Sequence, residues 1–488
     1  MPKSSRSSYK AIQVLLVALV PTVVRGVFLN INRVHGDEYI LAYFASKYEL
    51  LKTNVFAPVP ADPAAWVSQQ ASVFTILQKI YLLFVGESFW AVKFSTIPYL
   101  LITAIGFYLL ARLVLEKKSA LIAVGLYSFF AVSLYHDTLA TLHAGTNAAF
   151  IWFYYFLIKS LQKPSNSSFF MTGIFAGFCY LFDAKSYLAF PLMIIIFGGL
   201  LVYKKSKKIL VGLSTAIGAF FMIMAPFIWY MIIHNNVYLL QRYHQVKLSF
   251  SSRMDIEANA VTTLRALFTN GIGGDQGFFF GHQALFEPIS LLFFVVGIGL
   301  GIVMVRRRPV IGVIIFTILL TFFAGMIMTA PPPAFHRVVV TFPLIAIIMS
   351  LPFEKILSRK NLLTYSIVGL LLVIYSANNL IYFSKAAEKD GDVSVKLARY
   401  IERNFPNREV SIVAFPQYHV QKVFYFSQDN GLHNSVLDYP NNLLVNFDAS
   451  KRYLYIVPEM HRGFENEIQS RDGRTQIMQF GEFKLVSN

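Results

Sequence analysis

Apolar runs dominate the chain, and polar residues punctuate them. Eleven apolar segments are bounded by charges, Pro or Gly, at about Ala11–Leu29, Trp90–Leu115, Ala120–Leu134, Asn147–Leu161, Phe169–Phe182, Tyr187–Val202, Ile209–Ile233, Pro288–Val305, Val310–Ala330, Val338–Leu351 and Leu362–Tyr382. Such runs predict helices in lipid, where each backbone N–H and C=O must be satisfied within its own segment. A further stretch, Ser72–Val85, is broken by Gln78 and Lys79 and predicts an amphipathic helix on the membrane surface. From Lys385 onward the pattern becomes charged and alternating. It predicts strands at Ser411–Phe415, Tyr453–Val457, Gln476–Phe480 and Phe483–Val486, and helices at Val393–Asn404, Val420–Ser427 and Phe464–Gln469. The expected fold is an α-helical polytopic membrane protein, residues 1–384, followed by a small soluble α/β domain, residues 385–488.

Composition agrees with the pattern. Of 488 residues, 56% are hydrophobic and 14% charged, against roughly 25% charged in an ordinary soluble protein. One cysteine, Cys179, excludes an intrachain disulfide and a Cys-based zinc site. The net charge of +17 raises the question of nucleic acid, and the placement of the charges answers it. With the N-terminus in the cytoplasm, each inner loop is basic: Lys3, Arg6 and Lys10; Arg112, Lys117 and Lys118; Lys159 and Lys163; Lys204, Lys205, Lys207 and Lys208; Arg306 to Arg308; Lys355, Arg359 and Lys360. This is the positive-inside signal, so no nucleic-acid partner is needed to explain it. No small-x-small cleavage site precedes Arg25, so the first segment is expected to be a retained helix. The soluble domain and two long loops, 30–89 and 234–287, then face outward.

Carboxylates are scarce, 26 in all, so those beside the membrane are informative. Asp37 and Glu38 follow the first segment, and Asp137 follows the third, on the same outer side. Cations at the outer rim run against the positive-inside trend. They are Arg25, Lys93, Lys185 near Asp183, and His336 with Arg337 after Ala330-Pro-Pro-Pro333. A cluster of Lys and Arg at head-group depth suits a phosphate, which Arg grips bidentately. Other signals carry less. Gly271–Gly277 lacks the Gly-Lys-Ser/Thr of a phosphate-binding loop, Asn166-Ser-Ser168 is a sequon on the inner side, and the ten His residues lack zinc-hydrolase spacing.

Arg25 in the first helix, Asp37-Glu38 twelve residues later, a long outer loop, a second outer acid at Asp137, a Lys after the fifth segment, a basic pair after a Pro-rich stretch and a terminal soluble domain form one layout. It resembles the GT-C glycosyltransferases, in particular the protein O-mannosyltransferase and aminoarabinose (lipid A) transferase group. The resemblance implies transfer of a sugar, hexosyl or pentosyl, from a polyprenyl-phosphate donor to a glycan, lipid or protein acceptor at the outer face of the plasma membrane. It implies inversion, with Asp37 as general base and Glu38 and Asp137 as orienting groups. Arg25, Lys93, Lys185, His336 and Arg337 would receive the donor phosphate. No cofactor is expected. A divalent metal on Asp37 and Asp137, as in oligosaccharyltransferases, is the less favoured alternative. The rival reading is a transporter or flippase for a lipid-linked sugar. Inverted repeats and midplane charges would favour it, whereas this chain shows no repeat and carries its charges at the rim.

Overall fold

The computed structural model describes residues 3–29, 36–50, 52, 54–57, 71–183, 188–233, 253–272, 280–328, 334–358, 361–389, 393–405, 410–413, 434–437, 449–450, 452–458, 463–481 and 483–488. Among the described residues, each of the eleven apolar segments is mainly helical. The helices are α1 (Lys3–Val27), α2 (Gly36–Lys47), α3 (Val73–Val85), α4 (Phe89–Phe94), α5 (Ile97–Val114), α6 (Lys117–Phe129), α7 (Ala131–Asp137), α8 (Leu142–Gln162), α9 (Asn166–Phe182), α10 (Ala189–Lys204) and α11 (Lys207–Ile233). They continue with α12 (Arg253–Phe268), α13 (Pro288–Met304), α14 (Pro309–Phe322), α15 (Phe342–Leu357), α16 (Leu362–Lys389), α17 (Val393–Asn404) and α18 (Phe464–Arg471). Among the described residues, five stretches are long and apolar enough to cross a bilayer: Phe89–Val114, Lys207–Ile233, Pro309–Ile327, Val339–Leu357 and Leu362–Ala387. The bent pair α6–α7 makes a sixth if it is one span, and Ala11–Val27, Val73–Val85, Asn166–Phe182, Ala189–Lys204 and Pro288–Met304 are shorter apolar helices. The chain is a polytopic membrane protein with a small sheet.

Two compact units are present. The first is Met1–Leu29, Glu49–Ile76 and Thr96–Asp390; the second is Asn30–Tyr48, Leu77–Ser95 and Gly391–Asn488. The division differs from the expected boundary at residue 384 in two ways. Helix α16 continues to Lys389, because Lys385-Ala-Ala-Glu-Lys389 consists of good helix formers. Two parts of the first long loop also group with the tail.

In the first unit, glycines set how closely the helices approach. Helices α9 and α11 meet through Gly173, Gly177 and Gly212. A Cβ at Gly173 would fall 2.0 Å from the Ala216 carbonyl oxygen, and one at Gly212 would fall 2.4 Å from the Phe169 ring. This is the small-residue packing that membrane helices use where no hydrophobic drive separates helix from lipid. Helix α15 is buried all round over residues 342–351, as its nearly continuous apolar run there requires. Helices α6 and α7 are bent by 64° at Phe130, which has extended backbone.

In the second unit, a five-stranded sheet has the order β2-β1-β3-β5-β4. The strands are β1 (Val410–Val413), β2 (Asn434–Leu437), β3 (Leu454–Pro458), β4 (Gln476–Phe480) and β5 (Phe483–Ser487). Strand β1 pairs in parallel with β2 and β3, while β5 runs antiparallel to β3 and β4. Strand β2 was not expected, since Asn-Ser-Val-Leu is too short to show alternation. The helix expected at 420–427 lies outside the described residues. Phe464 and Ile468 of α18 are fully buried, and Phe464 packs edge-on to Tyr455 of β3.

A polar knot closes one end of this sheet. The Asp472 carboxylate accepts from Arg474, from the Tyr453 hydroxyl at 3.2 Å and from Asn488. Hydrogen bonds from the Arg474 side chain and backbone hold the Asp472 carboxyl well below the usual carboxylate range. A carboxyl lowered in the folded state contributes stability that is present above its ordinary value, near pH 4, and is lost as pH falls through the lowered folded value. Asp472→Asn should therefore make residues 449–488 easier to cleave in limited proteolysis at pH 7. The gap from wild type should narrow as the pH is taken below about 3. An equal gap at both pH values would refute the linkage.

Candidate active site

The break at Phe130 organises the first group of functional side chains. Because α6 stops at Phe129, its last carbonyls have no partner within the helix. The Arg25 guanidinium supplies one, donating to the Tyr127 and Ser128 carbonyl oxygens at 3.1 and 3.4 Å. A cation at this end of the helix also meets its negative pole. The same guanidinium donates through Nε to Asp137 Oδ2 at 2.9 Å and through Nη2 to the Ser133 hydroxyl at 3.0 Å. It lies 4.1 Å from the centre of the Tyr127 ring.

Asp137, the last residue of α7, accepts four hydrogen bonds. Its Oδ2 accepts from Arg25, from the Tyr127 hydroxyl at 2.9 Å and from the Ser133 hydroxyl at 2.8 Å. Its Oδ1 accepts from the Asn147 amide at 2.8 Å. Arg25 is 1% exposed and Asp137 3%. Sequence placed Asp137 past the third segment, facing the outer side. The structure buries it at the end of a short helix set at 64° to α6 after the break. It also gives Arg25 a protein partner where a lipid phosphate was expected. A cation this deeply buried is costly unless paired and hydrogen-bonded, and Asp137 meets that requirement.

The second unit repeats the device. Lys93 Nζ, in the last turn of α4, contacts both carboxylate oxygens of Glu38, at 2.7 and 2.8 Å. Neither residue is exposed. Serine 88 caps α4 by accepting from the Ala91 amide, which fixes the helix that carries Lys93. Glu38 sits in the first turn of α2, where the helix dipole favours a negative charge. Lys93 is thus also committed to a protein carboxylate. Its neighbour Asp37 occupies the same first turn and remains partly exposed.

Three further groups meet in the first unit. His143, in the first turn of α8, has its Nδ1 3.9 Å from Asp183 Oδ2 at the end of α9. Its ring centre is 5.6 Å from that of His336. His336 and Arg337 share a 3-10 turn, Phe335–Arg337, with His336 buried and Arg337 partly exposed. The chain before that turn contains a π-turn at Phe323–Ile327, a distortion often found at functional sites. Lys185 lies outside the described residues.

Sequence reasoning missed Tyr127, Ser133 and Asn147 as partners of Asp137, His143 beside His336, and a buried pair, Glu287 and Asn379. Some of these left a signal. Asn147 and Asn379 are amides within apolar segments, and intramembrane polar residues mark sites by default. Glu287 directly precedes Pro288, an N-cap followed by Pro at the first helical position. Asp137, the ligand that a metal would share with Asp37, accepts three hydrogen bonds at Oδ2 and one at Oδ1. Among the described residues, no group of three or more His, Cys, Asp or Glu is placed to hold a metal ion.

Comparison with known proteins places this architecture. Residues 69–232 match the dolichyl-phosphate-mannose-protein mannosyltransferase family. No curated protein sequence matches the chain. Among solved structures, ArnT from Cupriavidus metallidurans bound to undecaprenyl phosphate superposes with a TM-score of 0.61 at 9% identity, covering 97% of this chain and 98% of that one. The Archaeoglobus fulgidus oligosaccharyltransferase complex with Zn and sulfate gives 0.58 at 12% identity, over 88% of this chain and 62% of that one. The oligosaccharyltransferase AglB of the same organism, in complex with an inhibitory peptide and a dolichol-phosphate, gives 0.53 at 14% identity, over 86% and 64%. The chain thus spans less than two thirds of the archaeal enzyme and nearly the whole of ArnT. It is a polytopic membrane protein with the GT-C glycosyltransferase fold, similar over residues 69–232 to the dolichyl-phosphate-mannose-protein mannosyltransferase family.

Proposed function

We propose that the chain transfers a sugar from a polyprenyl-phosphate donor to an acceptor hydroxyl at the outer face of the membrane, with inversion at the anomeric carbon. The observation that carries this reading is the partial exposure of Asp37 in the first turn of α2, beside a Glu38 that is fully buried against Lys93. The fold adds support, since ArnT has it with undecaprenyl phosphate bound and AglB with a dolichol-phosphate. In the reaction, the Asp37 carboxylate takes the proton of the acceptor hydroxyl as its oxygen attacks the anomeric carbon. The bond from that carbon to the phosphate oxygen breaks, and the polyprenyl phosphate leaves with the electron pair. A phosphate leaving group needs no general acid; it needs positive charge where its own charge grows. Arg337, Lys185 and His336 take that role. Asp137, held by Arg25, positions rather than reacts, and no step uses a metal.

Replacing Arg337 or Lys185 with Ala should remove a charge-assisted hydrogen bond, worth about 1.5–3 kcal/mol, and so weaken donor binding by about 10- to 100-fold. The measurement is binding of a short-chain polyprenyl phosphate to the purified protein in detergent. Unchanged affinity in both variants would remove them from the phosphate site. The orientation proposed is N-terminus in and tail out, from the basic inner loops. A reporter enzyme that works only outside the cytoplasm should be active when fused after Asn488 and silent at Lys205. The reverse result would place the acidic groups on the wrong side for an extracytoplasmic donor.

A further inference from the structure

The bend at Phe130 frees backbone groups on both of its sides, and a single face of α16 attends to them. Before the bend, the Leu126 carbonyl accepts from the Tyr375 hydroxyl at 3.0 Å. After it, the first amide of α7, that of Ala131, donates to Asn379 Oδ1 at 2.9 Å. Phe130 stands at the N-cap position of α7 and has no side-chain group with which to cap it. Tyr375 and Asn379 are four residues apart, hence neighbours on one helix face. Asn379 is fully buried and its own orientation is fixed. Its Nδ2 donates to Glu287 Oε2 at 3.3 Å, to the Ser290 hydroxyl at 3.1 Å and to the Tyr375 carbonyl at 3.1 Å. Glu287 is in turn the N-cap of α13, accepting from the Ser290 amide at 3.0 Å.

We infer that Asn379 is a positioning residue for the acidic site. It stands in for the missing cap of α7, and α7 carries Ser133 and Asp137. In a membrane, a freed backbone amide has no water to turn to, so the angle of α7 depends on the partner that α16 offers. If that partner is lost, α7 tilts to find another, and Asp137 moves with it, along with the Arg25 pair. The bend therefore ties the last membrane helix and the start of α13 to the place of Asp137. The consequence for turnover rests on the glycosyl-transfer reading; the cap itself does not.

Two measurements on the full-length protein in detergent separate these. The first is amide hydrogen exchange over residues 130–137. Asn379→Ala should raise exchange there and leave the α9–α11 packing unchanged. The second is transfer kinetics. The same variant should lower kcat by about 100-fold, the scale of an ångström-level misplacement caused by a change away from the reacting atoms, with donor KM within about threefold of wild type. Asn379→Asp keeps the acceptor for Ala131 but sets a second carboxylate against Glu287, so it should also lose turnover. Combining Asn379→Asp with Glu287→Gln swaps amide and carboxylate between the two positions. It retains the acceptor for Ala131 and should recover most of kcat and the slow exchange. Wild-type exchange over 130–137 in Asn379→Ala overturns the inference. So does raised exchange with kcat unchanged, and so does failure of the combined variant to recover either readout. Absence of transfer by the wild-type protein counts against the proposed function, while the exchange experiment still decides the cap.

Discussion

Asp37→Asn should lower turnover by about 10²–10⁴-fold, the usual contribution of a general base. Asparagine keeps the size of the side chain and much of its hydrogen bonding, yet it cannot take a proton at neutral pH. Donor affinity should stay near wild type, because phosphate binding is assigned to Arg337, Lys185 and His336. The structure sharpens the choice between the two adjacent acids. Glu38 has both oxygens against Lys93 Nζ and no exposure, so using it as a base would require breaking a closed ion pair. Glu38→Gln is accordingly expected to act on stability, leaving a buried ammonium without its counter-charge. Near-normal transfer by Asp37→Asn would remove it as base and return the role to Glu38.

The second large effect is on folding. Arg25→Ala leaves Asp137 buried without its counter-ion and also strips the C-terminal end of α6 of two hydrogen bonds. Removing one partner of a buried pair costs about 3–5 kcal/mol. The variant should unfold at markedly lower temperature in detergent. Asp137→Asn keeps an acceptor for part of the network and should cost less. A lipid-phosphate role for Arg25 makes the opposite forecast, with donor binding lost and the unfolding temperature kept. Thermal unfolding and donor binding on one preparation of Arg25→Ala distinguish the two.

These two residues also show where the sequence was legible. Apolar runs identified every helix that is long and apolar enough to cross a bilayer, because lipid imposes length and composition on a segment regardless of what it packs against, whereas the 16-residue α12 inside the second long loop carries no such run and reads as loop. The same scarcity of charge drew notice to Arg25, Glu38, Lys93 and Asp137, since a charge beside an apolar run needs a reason. What sequence did not disclose was which charge faces which. Arg25 and Asp137 are over a hundred positions apart, and Lys93 and Glu38 are more than fifty apart. Only the approach of α1 to the bend at Phe130, and of α2 to α4, makes them pairs. The bend itself left little trace, because Phe130-Ala131 lies inside a run that reads as continuous helix. For that reason Asn379 looked like one more polar residue near the end of an apolar segment. Strand β2 escaped for a related reason: its pairing with β1 comes from the sheet and not from its own four residues.

The central claim is that this fold moves a sugar off a polyprenyl phosphate. Its most direct test is mass spectrometry of the lipid after purified protein is incubated with undecaprenyl-phosphate sugars, hexose and pentose, and a membrane extract as acceptor source. The account predicts release of free undecaprenyl phosphate from at least one donor, a matching glycosylated product, and loss of both with Asp37→Asn. Intact donor throughout, or release that is equal in the Asp37→Asn protein, would contradict it.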